Sequence, residues 1–379
     1  MKTLFKIFAL LVLLTVATVV GLRFYFGGAQ PYKNLTGAPA IGEPGLHSVL
    51  THPDPVGSIA ISAGGRIFFT AHPAGRPEGP RVFEWRDGRA EPFPAADTQA
   101  ALLSTPAGLA LDRFNRLWIS DPAGHGLGRP RIVAVDLASG LVVHEHVFPR
   151  ETAPRGSFLH DLEVAPDGRT VYIADTGLLS KSPAVVIYDT ATRKSRRLLE
   201  SHRALRAQGW LIRTPVREMR YLGGQVPFKP GLHGLSMDPG GQWLYLAAMA
   251  HDTLYRVPTG ALRDPELPAE DLAGRVEPVG SKPLSDQLAT DGAGGIYLTD
   301  VEHGAVLHMG SDRELATLVK SPRIRWADSL AVGADGWIYV SDSALPEVML
   351  ARRSQIEDRG PYHVFRFRAP AAATQTAAR

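Results

Sequence analysis

Several short apolar segments of the chain begin with polar residues whose types suit metal binding or proton transfer. The set comprises His160, Asp161, His233, Asp286, Gln287, Asp328 and Ser329. If the fold brings them together, Asp161, Asp286 and Asp328 offer oxygen ligands to a divalent cation, with calcium the first candidate. His160 and His233 offer a general base and acid. The same groups could instead bond backbone N–H groups at strand ends, and the sequence leaves these alternatives open.

The segments that these residues begin belong to a pattern repeated six times. Each unit has a short apolar strand, a Gly/Asp turn, a second apolar strand and then a third. The first strands centre on Ile59, Leu109, Leu162, Leu235, Leu288 and Leu330. Their spacings of 50, 53, 73, 53 and 42 residues are typical of a β-propeller with one blade per unit. We predict an all-β, six-bladed propeller over residues 46–368, with 46–51 closing the ring as the outer strand of blade six.

Propeller geometry predicts where the polar residues lie. Innermost strands begin at one end of the central channel, so the set should ring the channel mouth. Blades one and two offer only Gly57-Ser58 and Ala107-Gly108 there, which leaves the ring lopsided. Four further carboxylates end second strands on the same face, and their repetition predicts a shared backbone turn. They are Asp121, Asp175, Asp300 and Asp342.

The 73-residue spacing predicts an insertion at 201–230, entering on the mouth side. Residues 193–220 carry nine Lys/Arg and two Glu, whereas the whole chain has a net charge of only +3. We expect the insertion to cover the mouth, with Trp210 and Tyr221 joining Gln287 and Ser329 around a small-molecule ligand. Its basic residues would meet an anionic ligand or a membrane surface; bracing of the blade edge is the alternative.

The N-terminal residues 1–26 read as a signal anchor or signal peptide, because Lys2 and Lys6 precede a long apolar run. The domain should then be exported, either anchored at the periplasmic side of the inner membrane or secreted. We interpret 27–45 as a linker and 369–379 as a disordered tail. With no cysteine, disulfides and thiolate chemistry are excluded. The small net charge predicts no nucleic-acid partner, and we expect a monomer.

Motifs in blades three and four resemble the yellow/major royal jelly protein family in its bacterial branch. The most specific is Gly234–Pro239, followed by Leu244–Leu246 and Leu254–Thr259. Ile187–Asp189 leading to Ser195–Arg197 is also similar to blade three of that family. The resemblance implies a six-bladed propeller with a ligand site at the channel mouth. Family members include exported proteins, binders of small amines and proteins linked to dopachrome conversion, and the family shares no single catalytic set.

The fold also resembles the gluconolactonase/SMP-30 group, which places a metal in the channel. This chain departs from that group because Gly57-Ser58-Ile59 replaces the ligand-bearing Glu-Gly-Pro of blade one. Our first hypothesis is therefore a binding module for a small polar or aromatic molecule. The alternatives are an enzyme, either a metal-dependent lactonase-like hydrolase or a dopachrome-type tautomerase, and a scaffold for protein partners.

Overall fold

Six four-stranded antiparallel sheets form a closed ring in the computed structural model, which describes residues 2–370. Each innermost strand contacts those of the two neighbouring blades, and the sixth contacts the first. The predicted six-bladed β-propeller is confirmed. The predicted tail, 369–379, lies outside the described residues apart from Ala369 and Pro370.

In blades one to five the strands run in chain order from the channel outward. Blade one has Val56–Ile61, Ile67–Ala71, Val82–Arg86 and Arg89–Pro92; blade two has Gly108–Leu111, Arg116–Asp121, Arg131–Asp136 and Val142–Val147. Blade three has Leu159–Val164, Thr170–Asp175, Ala184–Asp189 and Lys194–Leu198. Blade four has Leu232–Met237, Trp243–Ala248, Thr253–Pro258 and Glu277–Ser281; blade five has Leu288–Thr290, Ile296–Asp300, Ala305–Met309 and Leu315–Lys320. Apolar residues of these strands fill the layers between blades.

Blade six joins the two ends of the chain. Its inner strands are Ala327–Val332, Trp337–Asp342 and Tyr362–Arg368, and its outer strand is His47–His52. The outer strand pairs antiparallel with Tyr362–Arg368, so the predicted closure is confirmed. Leu50 is buried in the layer beside this blade, which anchors the closing strand.

A long apolar helix, α1 (Lys2–Phe26), precedes the propeller. Its 24-residue segment Lys2–Tyr25 is long and apolar enough to cross a membrane and is not buried against the domain. Five short helices lie between strands: α2 (Ala96–Leu102), α3 (Thr259–Arg263), α4 (Ala269–Ala273), α5 (Leu345–Val348) and α6 (Arg353–Asp358), with 3-10 turns at Glu43–Gly45 and Pro73–Gly75.

The insertion 201–230 folds onto the propeller instead of extending into solvent. Trp210–Leu211 pairs in parallel with Gln30–Pro31 from the predicted linker, and Arg220–Tyr221 forms a hairpin with Val226–Pro227. Ile212 is fully buried. The insertion therefore has its own apolar anchor above the blades.

Candidate functional site

Four side chains at the innermost strands form hydrogen bonds with the backbone of the next blade. Each accepts a hydrogen bond from an N–H group, at distances between 2.7 and 3.1 Å. The acceptor–donor pairs are Ser58 with Leu109, Asp161 with Leu235, Gln287 with Leu330, and Ser329 with Ile59. Buried N–H groups require such partners. Asp161, Gln287 and Ser329 therefore link neighbouring blades, and none of the three lines the cavity at the mouth.

The predicted calcium set does not form a group placed to hold a metal ion among the described residues. Both oxygens of Asp161 are already bonded, Oδ2 to the Leu235 N–H and Oδ1 to the Leu162 N–H and Gln287 Nε2. Burial raises the pKa of Asp161 to about 7, which disfavours the ionised form that a metal ligand needs. Across residues 2–370 no group of three or more His, Asp or Glu residues is placed to hold a metal ion. The prediction of a calcium site formed by Asp161, Asp286 and Asp328 does not fit this arrangement.

His160, His233 and Asp286, in contrast, meet at the floor of a cavity at the channel mouth. The cavity has a volume of about 320 Å³. Its walls are mainly apolar and aromatic, and they come from five of the six blades and the insertion. The wall residues include Phe158, Leu178, Tyr221, Phe228, Met249, Leu345, Met349 and Leu350. An apolar pocket with a few convergent polar groups is the usual form of a small-molecule site.

At the centre of this floor lies an ion pair. His233 Nδ1 lies 2.7 Å from Asp286 Oδ1, and Trp326 Nε1 donates to Asp286 Oδ2 at 2.6 Å. Burial opposes a charge on His233, but the Asp286 carboxylate and its hydrogen bond outweigh that effect and raise the pKa of His233. Asp286 therefore holds His233 in its protonated form more strongly than water would.

His160 has the opposite electrostatic character. Its ring centroid lies 3.8 Å from that of His233. Burial lowers the pKa of His160 well below its usual value, and the neighbouring charges of His233 and His72 act in the same direction. The floor thus pairs a neutral imidazole with one that favours the charged form.

Two histidines of this cavity, His72 and His125, were missed in the sequence. His72 comes directly after the second strand of blade one, at the strand end where other blades carry the turn-forming Asp. This position in the repeat could have placed His72 on the mouth face. His72 Nε2 lies 3.6 Å from Asp328 Oδ2. Burial lowers the pKa of His72 to about 4. Burial and the charge of Asp286 raise the pKa of Asp328 well above its usual value, so both groups favour their neutral forms.

Two polar atoms around this floor, His160 Nδ1 and Asp328 Oδ2, are buried and have no hydrogen-bond partner among the described residues. Buried polar atoms are rarely left unbonded in folded proteins. His160 and Asp286 line the cavity and Asp328 does not. A ligand in the cavity would therefore meet His160 and the Asp286 carboxylate, whose Oδ1 is already paired with His233.

The two aromatic residues predicted to contact a ligand are placed differently. Tyr221 lines the cavity, with Phe228 from the same hairpin. Trp210 does not line it; its ring packs against Tyr32, with ring centroids 4.9 Å apart. Trp210 pairs with Gln30 of the 27–45 segment, which holds it away from the cavity. Of the two predicted aromatic residues, Tyr221 is therefore the one that lines the cavity.

The carboxylates that end second strands form the predicted turn. Asp175 Oδ1 accepts from the Phe158 and Gly177 N–H groups, and Asp342 Oδ1 accepts from Trp326 and Ala344. Asp121 and Asp300 bond following N–H groups in the same way. The shared backbone turn is confirmed, and these residues hold the mouth loops in position.

A family model for the major royal jelly proteins matches residues 105–349, which is more than half of the chain. The chain belongs to the major royal jelly protein family. The match runs from the end of the loop before blade two into blade six, so it includes every predicted floor residue of the cavity. No curated protein sequence matches this chain significantly.

Solved structures similar to this chain share its fold at low sequence identity. A gluconolactonase from Xanthomonas campestris has a TM-score of 0.54 and 16% identity, over 86% of this chain and 89% of that one. A calcium-binding regucalcin from Agrobacterium tumefaciens has a TM-score of 0.52 and 13% identity, over 85% and 94%. A luciferin-regenerating enzyme has a TM-score of 0.55 and 10% identity, over 86% and 95%. At these identities the similarity establishes the propeller fold alone.

Proposed function

We propose that this protein is an exported, membrane-anchored propeller that binds a small aromatic amine in the mouth cavity. The observation that carries this proposal is an aromatic cavity whose floor holds Asp286, the one carboxylate among the described residues that line it. An ammonium group would donate to the Asp286 carboxylate, which it would share with His233. The ring would pack among Phe158, Tyr221 and Phe228, whose faces also attract a cation.

The test compares an amine with its neutral analogue. Isothermal titration calorimetry with 2-phenylethylamine and 2-phenylethanol should show tighter binding of the amine to the wild-type chain. Asp286→Asn keeps the shape but removes the charge, and it should weaken amine binding by about tenfold or more, while alcohol binding changes little. Asp97→Asn, an exposed carboxylate on α2, serves as the matched control. Equal amine affinity in Asp286→Asn would contradict the proposal.

Acid–base catalysis is the second candidate function, favoured by the contact between neutral His160 and the charged His233–Asp286 pair. Such a contrast in proton affinity allows one group to remove a proton and the other to donate one. A tautomerisation needs no metal, whereas the lactonase alternative lacks a metal-binding group among residues 2–370. His160→Gln should abolish dopachrome conversion while leaving the melting temperature unchanged. No turnover by the wild-type chain would exclude this candidate for that substrate.

Export and anchoring are proposed from α1. At 1.5 Å per residue its 24-residue apolar segment spans about 36 Å, more than the roughly 30 Å hydrocarbon core of a bilayer. Intact mass of the protein recovered from membranes after carbonate washing should correspond to the chain with α1. A soluble product that begins after α1 would show instead that the segment is a cleaved signal peptide. The monomeric state and the scaffold alternative remain predictions.

A further inference from the structure

The exposed apolar side chains of the propeller are concentrated on the mouth face. Among the described residues outside α1, nine large hydrophobic side chains are exposed, and five of them lie on loops of this face. The five, which we call the rim, are Leu127, Leu179, Val216, Leu222 and Leu350, each between 52% and 71% exposed. They come from blades two, three and six and from the insertion. Apolar residues grouped in this way mark an interaction surface.

Helix α1 joins the domain on the same face. It contacts the hairpin strand Val226–Pro227, while Lys181 Nζ donates to the carbonyl oxygen of Tyr25 at the end of the helix. Lys229 Nζ donates to the carbonyl oxygen of Gly28 at 3.0 Å. Lys181 lies in the loop that carries Leu179. A bilayer crossed by α1 would therefore begin beside the rim.

The charge of this face suits an anionic lipid surface. The insertion 201–230 carries six Lys/Arg residues and one Glu, and Arg213, three residues before Val216, is exposed. Basic residues beside a bilayer that contains anionic lipids add attraction to the burial of apolar side chains. Leu350 both stands on the rim and lines the mouth cavity, so the cavity wall continues to this surface.

We propose that the rim docks on the bilayer in which α1 is anchored, so that the mouth cavity opens towards the lipid surface. This inference rests on the anchored state proposed above, but it adds a second membrane contact that anchoring alone does not require. A tethered propeller with no such contact would leave the rim in water.

The test uses the absence of native cysteine, because each introduced cysteine becomes the only labelling site. Leu127→Cys and Leu350→Cys report on the rim, Val12→Cys on α1, and Phe114→Cys on an exposed turn at the opposite face. Each full-length variant is labelled with nitrobenzoxadiazole and reconstituted in phosphatidylcholine/phosphatidylglycerol vesicles with or without doxyl-labelled lipid. We expect quenching by the doxyl lipid at α1 and at both rim positions, and none at Phe114.

The outcomes separate the rim from the anchor. Quenching at Val12 but not at Leu127 or Leu350 would overturn rim docking and leave the anchor intact. No quenching at Val12 would overturn the anchor itself. A rim label that is shielded from water yet not quenched by lipid would indicate a second copy or a protein partner, and would also overturn the proposal.

A double variant at two rim residues, measured with a label at a third position, gives an independent check. Leu222→Asp combined with Leu350→Asp should reduce lipid quenching at a Leu127→Cys label, because burying a carboxylate in lipid is unfavourable. Quenching at Val12→Cys should not change. Replacing phosphatidylglycerol with phosphatidylcholine should also weaken quenching at the rim. Unchanged quenching at Leu127 in the double variant would contradict docking.

Discussion

At the scale of single residues, two aspartates at neighbouring positions of the strand starts have different surroundings. Asp161 has both oxygens bonded to the protein and joins blade three to blade four. Asp286 lines the floor of the mouth cavity, where Oδ1 pairs with His233 and Oδ2 accepts from Trp326. The first arrangement stabilises the ring, and the second faces a ligand. Asp161 directly precedes Leu162, whereas Asp286 lies two residues before Leu288, so alternation along the strand separates the two roles.

Asp161→Ala should therefore destabilise the protein without changing ligand affinity. Loss of the acceptor leaves the Leu235 N–H buried and unbonded, which costs about 2 kcal/mol in the free energy of unfolding. The pKa of Asp161 is raised to about 7, so Asp161 keeps its proton to a higher pH in the folded protein than in the unfolded chain. The contribution of Asp161 to the free energy of unfolding therefore falls as the pH rises from about 4 to 7. The destabilisation by Asp161→Ala should accordingly be larger at pH 5 than at pH 8.

Thermal unfolding at both pH values, with 2-phenylethylamine titrations, checks this prediction. Asp286→Asn is the matched comparison, because Asp286 is as buried as Asp161 but its replacement should lower the affinity for the amine. If Asp161→Ala removed amine binding and left the melting temperature unchanged, Asp161 would belong to the ligand site.

Part of the cavity could be predicted from the sequence and part could not. Placing His160, His233 and Asp286 at one mouth needed only the repeat and the geometry of a propeller. Trp326, which bonds Asp286, lies in a loop whose path depends on the Asp342 turn and has no repeat signature. Residues directly before the anchor of the first strand, such as Asp161 and Gln287, bond the next blade. Residues one position earlier, such as Asp286, line the mouth cavity. This alternation is present in the sequence, but only the contacts show which of the two positions faces the cavity.

At the scale of elements, the sequence left two placements open for the insertion 201–230, over the mouth or against the blade edge. Leu205, Ile212 and Met219 of the insertion are fully buried, and they fix it over the mouth. The hairpin Arg220–Tyr221 and Val226–Pro227 then brings Tyr221 into the cavity. The aromatic residues were identifiable in the sequence, whereas their directions depend on pairing with 27–45, a partner far away in the chain.

The connection between blades four and five buries a lysine that the cavity does not use. Lys282 is fully buried, and its Nζ donates to the carbonyl oxygen of Pro283 at 3.0 Å. Burial lowers the pKa of Lys282 to about 7, although the charges of Asp252 and Asp300 oppose this shift. The folded protein therefore releases this proton more readily than the unfolded chain, and stability from this group rises between about pH 7 and pH 10.

Lys282→Met should thus stabilise the protein, because it replaces a poorly solvated ammonium with an apolar side chain of similar length. The gain in the free energy of unfolding should be roughly 2–4 kcal/mol below pH 7 and should shrink towards pH 10. Denaturant unfolding at pH 6 and pH 10 measures it, with the exposed Lys33→Met as the control. A variant less stable than wild type at pH 6 would show that the ammonium contributes more through its contacts than it loses by burial.

At the scale of the whole molecule, the propeller was predictable because each level of the sequence gives the same answer. A closed ring agrees with the six repeated strand patterns and with glycine turns of positive φ, such as those at Gly168 and Gly336. It also agrees with the extra strand at 46–51, before blade one. The structure adds the side-chain bonds between blades and the face on which α1 joins. Neither follows from the repeat, since both depend on contacts between residues distant in the chain.

Ring closure by the N-terminal strand makes the two ends of the propeller interdependent. Thr51 and His363 are register partners in the closing pair and are more than 300 residues apart. A disulfide from Thr51→Cys/His363→Cys would restrict the unfolded chain over almost the whole domain, so the oxidised form should gain up to about 5 kcal/mol over the reduced form. Melting temperatures with and without reductant measure the gain, and Thr51→Cys alone controls for the substitution. If the bond forms and the melting temperature does not rise, the closing strand separates before the rest of the ring unfolds, and closure does not limit stability.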